Sequence, residues 1–257
     1  MSKHTILLAA VAGLVLALAG SAQAAIIKVN ANSSVDGSID ASAGGKTITI
    51  DAGGSADFLI VGTSTEFGTG SIAGWNVTYD GNKMTWATGN GSQNNIFYLD
   101  LTQTTYGGGN ASLKFSWDYI DGGDLGVGWV SVRESTGLDP GESIALHKTG
   151  FSTGSTAVDL VTTVDGTFNF VNFNGNKGSG TTLSSNLTKI YANASFGSNA
   201  GAAGYKGDVA AGTHTYSWNQ SASRRLDAAA FVVVPEPATL ALMALGGLGL
   251  VLGRKRR

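Results

Sequence analysis

Ser112-Leu113-Lys114-Phe115-Ser116-Trp117-Asp118-Tyr119-Ile120 carries a large apolar side chain at every second position. A period of two is the period of a β-strand, whose successive side chains point to opposite faces. Leu113, Phe115, Trp117 and Tyr119 therefore share one face, and Lys114, Ser116 and Asp118 share the other. A strand with three aromatics on one side has to bury them against a second layer. Shorter runs of the same kind surround it. Residues 46–50 (Lys-Thr-Ile-Thr-Ile) alternate, and 57–61 hold Phe58, Leu59, Ile60 and Val61 in a row, which reads as a strand buried on both faces. Residues 75–79 and 83–87 flank Asp80-Gly81-Asn82, the strongest hairpin signal in the chain.

Further strands are expected at 26–29, 95–101, 127–132, 143–147, 157–164, 187–196, 213–218 and 226–234. Asp165-Gly166 reads as a second hairpin turn, leading into 167–173. There Phe168 and Phe170 fall on one face, Val171 and Phe173 on the other. About a dozen short strands separated by turns predict an all-β fold, a two-sheet jelly-roll-like sandwich. A split near Pro140 into two smaller β units is the alternative. No repeat of fixed period is visible.

Composition agrees. The 257 residues include 38 Gly and no Cys, and only 13% are charged. Strong helix formers are scarce in the body. Without cysteine there are no disulfide staples and no thiolate metal site, so sheet packing has to supply the stability. Setting aside Lys3, Glu236 and the four basic residues at the C-terminus leaves 11 basic against 17 acidic residues. That acidic balance argues against nucleic acid as a partner, because nucleic acid selects basic faces.

Both ends differ from the body. Lys3 and His4 precede an apolar stretch from Ile6 to Leu18, followed by Ala22-Gln23-Ala24. This three-part plan is that of a signal peptide, residues 1–24, cut after Ala24 by signal peptidase, with Ala22 and Ala24 as the small residues of the cleavage site. The exported domain is then 25–234, leaving the tail at 235–257. In that tail Pro235-Glu236-Pro237 comes first. An apolar run follows as a hydrophobic transmembrane helix, and Arg254-Lys255-Arg256-Arg257 closes the chain as a basic stop. The basic end stays on the cytoplasmic side of the inner membrane and leaves the body outside.

The order of motif, apolar helix and basic end resembles the PEP-CTERM sorting signal of Gram-negative bacteria. The resemblance implies processing by an exosortase, a membrane cysteine transpeptidase that cuts near the Pro-Glu-Pro. It implies passage through the inner membrane and delivery to the cell envelope or the extracellular matrix. Phe58-Leu59-Ile60-Val61, Val77-Thr78-Tyr79-Asp80-Gly81 and Arg224-Arg225-Leu226-Asp227-Ala228-Ala229-Ala230-Phe231 resemble blocks in exported proteins that carry this tail. They read as strands and turns rather than as a site.

No catalytic set is expected. His147 and His214 lack a second histidine at metal-ligand spacing. Gly141-Glu142-Ser143-Ile144-Ala145 lacks the second glycine and the following helix of a nucleophile elbow. Glu66, Glu134 and Glu142 are the glutamates available for a glycosidase pair, and none sits in an aromatic strand. No cofactor is expected, with calcium as the alternative: Asp118, Asp121 and Asp124 surround Gly122-Gly123 and offer it hard oxygen ligands, and a plain Asp/Gly turn is the other reading. Trp75, Trp86, Trp117, Trp129 and Trp218 fill the core or stack on sugars. Seven Asn-x-Ser/Thr triplets, at Asn32, Asn76, Asn90, Asn110, Asn186, Asn193 and Asn219, are ordinary for this composition. The expected role is non-enzymatic: structural or adhesive in an exopolysaccharide or biofilm matrix, with matrix polysaccharide as partner. A carbohydrate-binding module, with or without calcium, is the alternative.

Overall fold

The computed structural model describes residues 25–39, 45–65, 75–89, 93–117, 123–139, 142–176, 182–196, 199–219 and 223–235. The first half supplies nine strands: β1 (Ile26–Ile39), β2 (Gly45–Asp51), β3 (Phe58–Thr65), β4 (Asn76–Tyr79), β5 (Asn82–Lys83), β6 (Thr85–Gly89), β7 (Asn94–Asp100), β8 (Asn110–Ser116) and β9 (Gly123–Glu134). The second half supplies seven: β10 (Glu142–Thr153), β11 (Ala157–Thr162), β12 (Thr167–Asn176), β13 (Thr188–Phe196), β14 (Asn199–Val209), β15 (Gly212–Ser217) and β16 (Ser223–Pro235). The chain is all-β, as its alternation requires.

The strands form four sheets: β1-β9-β3-β7-β6, β2-β8-β4-β5, β10-β16-β12-β14-β13 and β11-β15. Leaving out β6, the first two have the strand order of a jelly roll. The same order recurs in the second half as β10-β16-β12-β14 over β11-β15, with β13 in the place of β6. Leu183, bridged to Trp218, stands where β4 stands beside β8. So a jelly-roll strand order occurs twice, once before and once after residues 135–139, where one such sandwich was expected.

The two five-stranded sheets pack face to face in the middle. In that interface β1 lies over β13, β9 over β14, β3 over β12, β7 over β16 and β6 over β10. Each pairing is matched by its counterpart, and β3 meets β12, which is its own equivalent. A two-fold axis between two like units produces this arrangement. The smaller sheets cover the outside, giving four layers.

Burial follows the layers. Leu59, Val61, Phe97 and Trp129 face Val77, Tyr79, Leu113, Phe115 and Trp117 in the first outer layer. Phe58, Ile60, Ile96 and Val130 face Phe168, Phe170, Ala229 and Phe231 in the middle. Val171, Phe173, Ala228 and Ala230 face Val158, Leu160, Tyr216 and Trp218 in the last. A strand in an inner sheet must be apolar on both faces, which explains why β3 is buried at every position. Phe168 and Phe170 do part from Val171 and Phe173 as alternation requires.

Three elements differ from their reading. Asp165-Gly166 makes no hairpin: β11 pairs with β15, whereas β12 pairs with β14 and β16, so the turn is a corner between layers. Strand β1 runs on to Ile39 because β9 offers it a partner along that length. Strand β14 (Asn-Ala-Gly-Ala-Ala-Gly-Tyr-Lys-Gly-Asp-Val) shows almost no strand signal in sequence. Its alanines suit the sites where two layers approach closely, and burial on both faces outweighs propensity. The Asp80-Gly81 turn is as read. Both residues have positive φ (49° and 78°), which a two-residue type I′ hairpin requires.

Candidate functional site

Glu66 lies outside the described residues, and the two histidines and Glu142 are held by local bonds. His147 Nε2 lies 3.3 Å from the Thr163 amide and 3.2 Å from its hydroxyl, and burial with the Lys148 charge lowers its basicity. His214 Nε2 is 2.8 Å from the Ala210 carbonyl oxygen, and its ring stacks on Tyr216. Ser143 lies in β10, away from any strand–turn–helix corner. Glu142 accepts from the Asp139 amide.

Glu134 is a buried acid that the sequence did not disclose, 1% exposed. It accepts from the Ser135 hydroxyl and from both the amide and the hydroxyl of Thr136. Burial favours its neutral form, but these bonds outweigh burial and keep its carboxyl below the usual range. Both oxygens are thus committed to closing the turn after β9. Nearby Asp57 accepts from the Glu134 amide, and burial raises its carboxyl above the usual range.

The second unexpected acid is Asp227, in the middle of β16 and fully buried. Alternation turns it away from Leu226 and Ala228 and into the interface between the inner sheets. That interface is polar at this end. Asn94 donates to Asp227 Oδ2 (2.6 Å) and to the Asn172 carbonyl (3.0 Å). Asn172 donates to the Thr63 carbonyl (2.7 Å), and Asn174 to the carbonyls of Thr65 and Gln93. Ser64 donates to the Phe173 carbonyl and accepts from the Tyr191 hydroxyl. Side-chain amides of one sheet thus use spare lone pairs on the backbone of the other. Asp227 Oδ1 has no partner among the described residues. Burial pushes its carboxyl well above the usual range, against the Asn94 bond and the Arg225 charge. A neutral acid fits this site. Its hydrogen bonds run from one inner sheet to the other, so the cluster reads as a joint between sheets.

Asp118 and Asp121 lie outside the described residues. Asp124 lies in β9, its side chain likewise outside them. Among the described residues no group of three or more metal-ligating side chains occurs. Of the five tryptophans, Trp117, Trp129 and Trp218 are buried and Trp75 packs edge-on against Phe115 and Trp117. Trp86 differs, being 55% exposed on edge strand β6. Its register partner is Phe97, whose side chain enters the first outer layer, so Trp86 lies on that same face at the sheet's open edge.

The C-terminal end of the body is also defined. Strand β16 is paired on both sides, with β10 and with β12. Its last ladder partner is Pro235, opposite Glu142. Ala22, Ala24, Glu236, Pro237, Arg254, Lys255, Arg256 and Arg257 lie outside the described residues. Among those described, no helix is long and apolar enough to cross a membrane.

No curated protein matches the chain. Residues 233–257 match the family described as the PEP-CTERM protein-sorting motif. That match begins within β16 and takes in Pro235, Glu236, Pro237 and the basic end. The chain carries the C-terminal sorting signal of exosortase substrates, which directs an exported protein to the cell surface or envelope.

Proposed function

We propose that the body is a non-enzymatic structural or adhesive protein of the extracellular polysaccharide matrix, placed there by its tail. The sorting motif at 233–257, joined without a spacer to a central strand of an all-β body, is the observation that carries this reading. The acids support it. Glu134 closes a turn, Asp227 joins two sheets, and the histidines are tied to loop backbone. The outward faces of the two small sheets offer threonine, serine and asparagine, groups suited to many weak hydrogen bonds with sugar hydroxyls. The chain needs no cofactor for such a role, and matrix polysaccharide is its partner.

The test is fractionation of the native host, followed by assay of the protein recovered. The protein should leave the cells with the polysaccharide matrix, and its deletion should weaken matrix cohesion. Hydrolysis of a matrix polysaccharide by the recovered protein, lost on changing one carboxylate pair, would overturn the reading. A second reading rests on Trp86. One exposed indole at a sheet edge is the platform of a carbohydrate-binding module. It predicts saturable binding of one glycan, abolished by Trp86→Ala.

A further inference from the structure

The outward face of the sheet β2-β8-β4-β5 has a composition that its surroundings do not. The ladder places Thr47, Lys114, Thr78 and Lys83 in one row across all four strands. Gly45, Ser116 and Asn76 form the next row, and Thr49 with Ser112 the row on the other side. Thr47, Thr49, Asn76, Lys83, Ser112 and Lys114 are exposed. The row of Thr47, Lys114, Thr78 and Lys83 contains two cations, hydroxyls and no carboxylate. The Thr49–Ser112 row ends at Asp80, whose amide donates to the Ser112 carbonyl, and Asp51 follows at the end of β2. The rest of the exported body carries an acidic excess.

The equivalent sheet of the second half is an internal control. There β11 and β15 turn outward Asp159 and Val161 opposite Thr215 and Thr213. That face has a carboxylate, which accepts from the Thr215 hydroxyl, and no lysine.

We infer that the outward face of β2-β8-β4-β5 binds an acidic polysaccharide, a chain bearing carboxylates on its repeating sugars. The inference rests on the matrix role proposed above and names the partner class. Lys83 and Lys114 stand two strands apart, on the order of 10 Å between backbones. That spacing exceeds one sugar ring, so the pair suits carboxylates on separate units of a polymer. The neighbouring threonines, serines and asparagine meet the hydroxyls between them. A flat face with two cations and no exposed aromatic on its rows suits a hydrated glycan better than a nucleic acid, which selects denser positive charge.

The experiment uses the full-length chain in detergent, with Arg254, Lys255, Arg256 and Arg257 replaced by Gln so that the basic end contributes nothing. Affinity is measured for a polyuronate, for uncharged dextran and for duplex DNA, at low and at physiological salt. Lys83→Gln with Lys114→Gln should weaken polyuronate binding about three- to tenfold at low salt, the range expected for two exposed charge contacts. Thr213→Ala with Thr215→Ala should leave it unchanged. Polyuronate binding that ignores the lysines overturns the inference. Equal, lysine-dependent binding of DNA overturns the assignment to glycan. Equal binding of dextran and polyuronate, unmoved by the lysines, overturns the inference and leaves the adhesive role standing; binding to neither polymer removes both.

Discussion

The two halves of the molecule share a strand order but fill their outer layers differently. In residues 26–134 the outer sheet has four strands, and Trp75, Phe97, Phe115, Trp117 and Trp129 fill the gap beneath it. In residues 142–235 the outer sheet has two strands, and Ala200, Ala202, Ala228 and Ala230 line much of the inner wall. Phe115-Ser116-Trp117 and Tyr216-Ser217-Trp218 occupy corresponding strands and are the clearest trace of likeness in sequence. Trp129 and Ala230, in corresponding strands β9 and β16, show the exchange of bulk for closeness. The five-stranded sheets are conserved in plan because each is a shared wall of two cores. An outer sheet answers to one core only, so it has changed length and surface chemistry, including the lysine row.

The largest expected effect separates the shared interior from the outer layers. Phe231→Ala removes a ring packed on both Phe58 and Tyr98, at ring centroid distances of 5.3 and 5.7 Å. It should cost about 3–5 kcal/mol, and urea unfolding should stay a single transition because both halves need that layer. Trp218→Ala and Trp117→Ala then compare the outer layers. Each should cost about 3–5 kcal/mol, with Trp218 at the upper end, since it is 1% exposed and its sheet has only two strands. Equal losses of under about 1 kcal/mol in urea titration would contradict the layered account.

Much of this was legible. The alternation at 112–117 and the doubly apolar runs at 58–61 and 168–173 placed strands and gave their faces, because burial is what alternation records. A split near Pro140 was the alternative reading, but that the two halves share one strand order was not legible. Equivalent strands share little sequence, since a jelly roll needs apolar pattern rather than identity. Strand β14 was hidden for the same reason: alanine and glycine satisfy a close sheet contact without any strand signal. Asp227 was hidden because a carboxyl among Ala and Leu reads as a solvent-facing position in a two-sheet fold. A third layer above that strand turns the same position inward. The sorting tail was the most legible part, because order and spacing of short motifs carry it without any fold.

Smaller effects sharpen the contrast between the polar and apolar ends of the middle layer. A methyl on Gly62 would lie 2.7 Å from Asn172 Oδ1 and 2.8 Å from a Phe170 ring carbon. Gly62→Ala should therefore cost about 1–3 kcal/mol by calorimetry. Asp227→Asn tests the neutral acid. Its folded pKa lies above the unfolded value, so the folded state holds the proton longer. Stability is lost as pH rises from the unfolded value towards the folded one, and nothing is lost below both. The variant cannot ionise. It should gain stability over the parent at pH 7 and little or nothing at pH 3. A loss at pH 7 as large as at pH 3 would mean that the carboxyl stays charged. Trp86→Ala should be the mildest, within about 0.5 kcal/mol, because the indole is exposed.

The central claim is that an exported two-part β body is carried to its place by its tail. Intact mass of the protein isolated from its own host, with peptide mapping of both ends, tests it most directly. The account predicts a species that starts near Ala25, keeps β16 through Val234 and has lost Arg254 to Arg257. A species that still carries the basic end, recovered with the inner membrane, would contradict it.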